Sequence, residues 1–272
     1  MKDATFEVVG CNKPKAHCTK RGMGCNALRL LPPTWLLAAW LLSAPALAVD
    51  GAAILRQVDR NLEPESYEMY RKLINIEPDG RKKEFVLYSV KKGRDKVAAL
   101  FLSPASDKGR ATLRLGENMW LYIPGVGKPV RITSLQSVIG GVFNNADILR
   151  LDYTEEYAVE SAREEGGDYV LELKARTSAV AYDRLKMRVD RKAVLPRVIE
   201  ASAASGMLIK TLTFKDVKDF GGGIRRPATV ETDSPVFKGY KSVMLFSQLK
   251  RREVPDEVFT QNYLSRLEEL RN

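Results

Sequence analysis

From Pro64 to about Leu249 the apolar residues of this chain recur at every second position, and a single stretch, Thr133 to Tyr157, breaks that rhythm. A period of two sends alternate side chains to opposite faces of an extended strand, so the core of such a chain has to be built from sheet. Tyr67–Ile76 and Glu84–Val90 flank a Pro78-Asp79-Gly80 turn, and Lys96–Leu102, Thr112–Leu115 and Met119–Ile123 follow. A loop at Pro104–Arg110 and a turn at Gly116-Glu117-Asn118 part them. A second group comprises Tyr169–Lys174, Arg184–Val189, Val194–Glu200, Met207–Phe214, Ala228–Glu231 and Tyr240–Leu249. Its separators, among them Gly166-Gly167, Ser205-Gly206, Gly221-Gly222-Gly223 and Ser234-Pro235, carry turn chemistry. No neighbouring strands are joined by a helix of the length a parallel crossover needs. The pattern therefore predicts an antiparallel meander of about ten strands, arranged as a closed barrel, a sandwich or a strongly curved open sheet.

Helical signals occur at three places. Asp50 to Leu62 puts Ile54, Leu55, Val58 and Leu62 on one face, with Arg56, Asp59 and Arg60 opposite. Thr133 to Tyr157 has no strand period and is broken by Gly140-Gly141 and Asn144-Asn145, which predicts short helices joined by flexible turns. Pro255-Asp256-Glu257 begins a closing helix whose apolar stripe is Val258, Phe259, Leu264, Leu267 and Leu270. No long linker interrupts the alternation, so residues 49–272 are expected to form one domain.

The start of the chain reads as a targeting segment. Arg29 precedes an uncharged run from Leu30 to Ala48 that ends in Ala46-Leu47-Ala48, the layout of a secretory signal peptide over residues 1–48 cleaved after Ala48. Met23 stands at the natural distance from the apolar run, so residues 1–22 read as an over-extended start. The expected mature product is exported and periplasmic. The only histidine, His17, and the only cysteines, Cys11, Cys18 and Cys25, all lie in that leader. What remains has neither imidazole nor thiol for acid–base work, nucleophilic attack or metal binding near neutral pH. The predicted protein is accordingly not an enzyme and has no cofactor and no metal site.

Removing the leader takes away six basic and two acidic residues and lowers the formal charge from +10 to +6. The basic runs Arg81-Lys82-Lys83, Lys91-Lys92 and Lys250-Arg251-Arg252 adjoin turns and read as solvated loops, or as a surface for anionic headgroups. Nothing accompanies them that would favour nucleic acid. Gly125-Val126-Gly127-Lys128 fails as a phosphate loop, since Tyr122 and Pro129 stand where that motif needs glycine and Ser or Thr. Lys128 and Arg131 are the candidates to contact a headgroup or partner. The acidic pairs Glu155-Glu156 and Glu164-Glu165 read as solvated surface rather than as the two acids of a glycosidase.

Several strands carry one purely aliphatic or Met face: Leu113 and Leu115; Met119, Leu121 and Ile123; Leu171 and Leu173; Leu185, Met187 and Val189. These faces fill an ordinary core, or they line a cavity for an apolar ligand. On the second reading Leu113, Leu115, Met119, Leu121, Ile123, Leu171, Leu173 and Met187 bind lipid. The segment Ser134–Leu151 then acts as a lid through Val138, Ile139, Val142, Phe143, Ile148 and Leu149.

The run Met119-Trp120-Leu121-Tyr122-Ile123-Pro124, the following Lys128–Ile132, and GGVFNNADILRLDY from Gly140 to Tyr153 resemble the bacterial outer-membrane lipoprotein-sorting proteins, a family similar to the LolA-type periplasmic carriers. The resemblance extends from about Asp50 to Leu267. It implies a mainly β fold with an α lid, an incomplete antiparallel β-barrel covered by short helices, and a hydrophobic cavity for acyl chains. It further implies lipid or lipoprotein acyl chains as cargo for transfer between inner and outer membrane. An inner-membrane transporter, an outer-membrane acceptor, transient membrane contact and a monomeric state would follow. The alternative function is a non-catalytic periplasmic adaptor of an inner-membrane transport complex.

Overall fold

The computed structural model describes residues 49–137 and 139–271. The expected signal peptide, the expected start at Met23 and Val138, one of the expected lid residues, lie outside them. The chain opens with helix α1 (Gly51–Leu62), where the Asp50 carboxylate accepts from Ala53 N at 2.9 Å as an N-cap. Leu55, Val58 and Leu62 are buried on its inner face. Gly51 sits so close to β7 (Tyr157–Glu165) that a Cβ there would lie 2.7 Å from that of Ala162.

Thirteen antiparallel strands follow among the described residues. Strands β1 (Ser66–Ile76), β2 (Lys82–Lys92), β3 (Lys96–Ser103), β4 (Ala111–Leu115), β5 (Asn118–Tyr122) and β6 (Val130–Ile132) meander to one edge. The chain then crosses to the other edge and returns through β7, β8 (Asp168–Ala175), β9 (Arg184–Asp190), β10 (Pro196–Ser202), β11 (Leu208–Asp219), β12 (Arg225–Asp233) and β13 (Lys241–Arg251). β13 pairs with β1, so the order runs β6-β5-β4-β3-β2-β1-β13-β12-β11-β10-β9-β8-β7, with β6 and β7 as unpaired edges. The sheet is open and curved, not a closed barrel.

Sequence periodicity located every strand but two. β6 has three residues, and β7 has only Tyr157 buried, so neither offers an apolar alternation to read. Since residues 133–156 join opposite edges of the sheet, they have to traverse one of its faces. They do so with two short helices, α2 (Asn145–Ile148) and α3 (Tyr153–Glu156). A reciprocal cap starts α2, with Asn144 Oδ1 accepting from Asp147 N and Asp147 Oδ2 from Asn144 N.

The predicted C-terminal α-helix is instead two 3-10 helices, Asp256–Phe259 and Gln261–Arg271. Leu264, Leu267 and Leu270 recur at intervals of three, which suits three residues per turn, and the first two are buried. These helices cover the second face of β2–β5. Along those strands neighbouring residues divide between two clusters: Leu87, Val97, Ala99, Phe101 and Met119 belong to the main core, whereas Tyr88, Ala98, Leu100, Ala111 and Leu113 pack with Val258, Phe259, Leu264 and Leu267.

Candidate functional site

On β1 the residues in phase with the core are Tyr67, Met69, Arg71, Leu73 and Asn75, and on β2 Phe85, Leu87, Ser89 and Lys91. Polar groups thus occupy positions that alternation assigns to the interior. Arg114 on β4, Lys210 on β11 and Arg226 on β12 are buried in the same phase. All face the crossing segment, and most end on its backbone or its acids.

Arg71 donates to the carbonyl of Ile148 and, at 3.0 Å, to Ser89 Oγ. Arg114 donates to the Leu149 carbonyl at 3.1 Å and pairs with Glu156. Lys210 donates to the Val142 carbonyl, pairs with Asp147 at 2.8 Å and lies 5.2 Å from the Tyr182 ring centre. Asn75 Nδ2 donates to the carbonyls of Ile139 at 3.2 Å and Gly140 at 3.0 Å, and Ser242 Oγ accepts from Val142 N at 3.0 Å. A segment with so little regular structure leaves its carbonyls unpaired, and leaving such groups buried and unmet costs about 1–3 kcal/mol each. Side chains of the sheet take their place as partners. Asn75 also demands glycine at 141: with φ +76, a Cβ there would fall 2.2 Å from Asn75 Oδ1.

A second knot closes the end of the crossing segment. Glu63, at the C-terminal cap of α1, meets Arg150 at 2.9 Å, Lys91 at 3.4 Å and Arg226 at 3.4 Å, and accepts from Tyr67 OH at 3.1 Å. Burial works to raise the pKa of this carboxyl, but the three cations outweigh it and hold Glu63 well below the ordinary carboxylate range. Asp59 accepts from Tyr153 N at 2.8 Å and Thr154 N at 3.0 Å, so α1 caps the start of α3, and burial pushes its pKa up. Arg71 differs from its neighbours. Among the described residues it has no carboxylate in ion-pair contact, its Nε has no partner, and burial pulls its pKa down.

Between this network and the sheet lies a cavity of about 70 Å³. Its apolar wall includes Phe143, Leu185, Leu212, Val230, Met244 and Phe246, and its charged lining is Glu63, Arg71, Asp147, Arg150, Glu156 and Arg226. The cavity is therefore tighter than the roomy apolar space expected from the sequence, and charged side chains border its largely apolar wall. Pockets that take small molecules run to about 300–1,000 Å³.

The residues singled out from alternation fall in several places. Of the lid residues described, Ile139, Val142, Phe143, Ile148 and Leu149 are all buried against the sheet, and Phe143 lines the cavity. Leu171, Leu173 and Met187 lie in the main core but not on the cavity wall; Leu171 packs near Gly51 of α1. Met119 shares that core and Leu121 is buried, whereas Ile123 is half-buried beyond the end of β5. Leu113 and Leu115 occupy the opposite face, with the C-terminal 3-10 helices. The register shows why: Leu113 stands opposite Trp120 and Arg114 opposite Met119, so Leu113 and Met119 point away from each other. Lys128 and Arg131 are exposed at the β6 edge, where Arg131 donates to Asn118. Two polar readings need correction. Lys91 and Glu156 are buried ion-pair members rather than solvated groups, because α1 and β4 bring partners that a linear reading does not see. The signal that could have found this network is the polar residue sitting in apolar phase, as Arg71 and Asn75 do on β1.

This open antiparallel sheet with its few short helices is shared with solved structures of the LolA superfamily. A LolA superfamily protein from Nitrosomonas europaea superposes with a TM-score of 0.72 at 26% identity, over 79% of this chain and 100% of that one. A domain from Vibrio parahaemolyticus described as outer membrane lipoprotein-sorting gives 0.65 at 20% identity, over 78% of this chain and 97% of its own. A DUF1329 family protein from Desulfovibrio piger gives 0.68 at 20% identity, over 78% and 96%. No curated protein matches the chain. The model of a family described as "Uncharacterized protein" matches residues 93–266, well over half of the chain, and the chain belongs to that family.

Proposed function

We propose that the protein is a non-enzymatic periplasmic carrier that holds the acyl chains of a lipid or lipoprotein between the sheet and the crossing segment during transfer between membranes. The observation that carries this reading is the fastening of residues 139–156 by sheet cations bonded to backbone carbonyls over a partly apolar cavity. Water or a ligand can take over such bonds one at a time, which offsets their loss, whereas the apolar contacts of Phe143, Ile148 and Leu149 have to be offset by apolar surface of the ligand. At about 70 Å³ the cavity admits no acyl chain, so loading requires the segment to lift, carrying Phe143, Ile148 and Leu149 off the sheet. Displaced carbonyls then leave Arg71 free to meet a polar group of the ligand.

The same small volume favours a second reading, an adaptor of an inner-membrane transport complex whose interior stays filled. Native mass spectrometry of protein purified from a periplasm separates the two. Co-purifying lipid, released when Phe143 is enlarged to Trp, supports carriage. Lipid-free protein that captures a membrane permease supports the adaptor.

A further inference from the structure

Three hairpin tips stand side by side at one end of the sheet: residues 203–207 between β10 and β11, 234–240 between β12 and β13, and 77–81 between β1 and β2. Their closeness follows from register and contact. Thr211 stands opposite Asp233, the Ser234 hydroxyl donates to the Ile209 carbonyl, and Gly239 packs on Pro78, where a Cβ would lie 3.1 Å away. On these tips large apolar side chains face water: Met207 is 59% exposed, Val236 52%, Phe237 47% and Tyr240 38%. Such residues scattered singly need no explanation, but here they sit on adjoining turns. The 234–240 tip is held in shape, since Ser234 Oγ accepts from Val236 N at 3.1 Å and Phe237 N at 3.3 Å.

The charge around them has one sign in excess. Arg81, Lys82, Lys83, Lys238 and Lys241 stand on or beside the tips, against Glu77, Asp79, Asp183 and Asp233; Glu77 and Asp79 are paired with Arg81 or Lys83, Asp183 accepts from Ala204 N at 2.8 Å, and Asp233 stands opposite Lys241 in the β12–β13 register. Lys82, Lys238 and Lys241 have no ion-pair partner among the described residues. Apolar and aromatic residues at a turn, ringed by free lysines, match a lipid surface in which the rings enter the headgroup layer and the ammonium groups meet phosphate.

We propose that this end of the sheet docks on anionic phospholipid membranes, with the Val236-Phe237 turn entering the headgroup layer. The bases of the tips also anchor the crossing segment: Asn75 and Ser242, which bond Ile139, Gly140 and Val142, adjoin β1–β2 and β12–β13 tips. Docking would therefore set the bilayer beside the start of that segment. The inference goes beyond the carrier reading and does not rest on it, since a lipid-free adaptor would dock through the same residues.

Flotation of the chain with vesicles of phosphatidylethanolamine and phosphatidylglycerol at about 3:1, against phosphatidylcholine vesicles, at ~0.05 M and ~0.5 M salt tests it. The expected result is flotation with the anionic vesicles, weakened by salt. Val236→Ser/Phe237→Ser lowers the bound fraction by about tenfold or more. Lys238→Gln/Lys241→Gln lowers it only at low salt, by about threefold to tenfold. Val217→Ser, which removes an exposed apolar residue at the other end of β11, leaves binding unchanged. No flotation, or flotation that survives the Val236/Phe237 double substitution, overturns the proposal. So does a dimer that the double substitution dissociates while vesicles are ignored. Retained melting temperature shows that the variants fold. Failure of carriage would register separately, as absence of co-purifying lipid in protein that still floats.

Discussion

On one face of β2–β4, Tyr88, Leu100 and Leu113 pack with Phe259 and Leu264; on the other, a few ångströms of backbone away, Lys91 and Arg114 bond to acids and carbonyls of the crossing segment. The same strands thus support two coverings of different kinds. The C-terminal 3-10 helices are held by apolar burial, which has no direction and no cheap intermediate. The crossing segment buries Phe143, Ile148 and Leu149 as well, but adds directional bonds from buried sheet cations to its carbonyls and acids. The lesson is that two coverings of different kinds can share a sheet when both faces are apolar and alternation places the buried cations on only one of them.

The contrast can be broken experimentally. Phe259→Ala should cost about 4 kcal/mol of global stability in denaturant titration while leaving local hydrogen exchange across 142–149 unchanged, because it empties the other layer. Glu63→Gln should cost about 3 kcal/mol by leaving Arg150, Lys91 and Arg226 without their shared carboxylate. It should also flatten the acid side of the stability profile. A carboxyl whose folded pKa lies below its ordinary value of 4.5 stabilises fully above that pH and loses its contribution as pH falls. Asp59, with its pKa raised by burial, works in the opposite sense and partly cancels Glu63 in the parent, so the variant should lack the share of the parent's loss of melting temperature below about 4.5 that Glu63 causes. Gly141→Ala should cost about 2 kcal/mol through its positive φ and the collision with Asn75, with the loss concentrated in the exchange of residues 139–149. Arg71→Met should be the mildest globally, about 1 kcal/mol, because the cost of leaving the Ile148 carbonyl and Ser89 hydroxyl without their donor is partly offset by removing a buried charge that has no carboxylate in contact. Its effect should appear as about tenfold faster exchange over 146–149; unchanged exchange there would deny Arg71 a fastening role.

Much of the fold was legible because burial on a sheet leaves a period of two. The long strands β1 and β13 alternate over many residues, and even the break at Thr133–Tyr157 appeared as a loss of rhythm. β7 escaped notice because an exposed edge strand has no buried face to write into the chain. For the site, six of the eight apolar residues picked out by alternation are buried and Leu115 and Ile123 are half-buried, but alternation could not say which of two covered faces each would join. Met119 and Leu113, six residues apart across a turn, read as one lining and lie on opposite sides.

The chain by itself determined that the product would be an antiparallel sheet, that one irregular segment would interrupt it, and that no imidazole or thiol would remain beyond Cys25. These properties depend on residue type and local spacing alone. Only the tertiary structure decided that Arg71, Arg114 and Lys210 would be buried, that Glu63 would gather three cations, and which face the crossing segment would cover. The reason is physical: a buried charge is tolerable only beside its partners, and here those partners arrive from strands and helices up to about 160 residues apart in sequence.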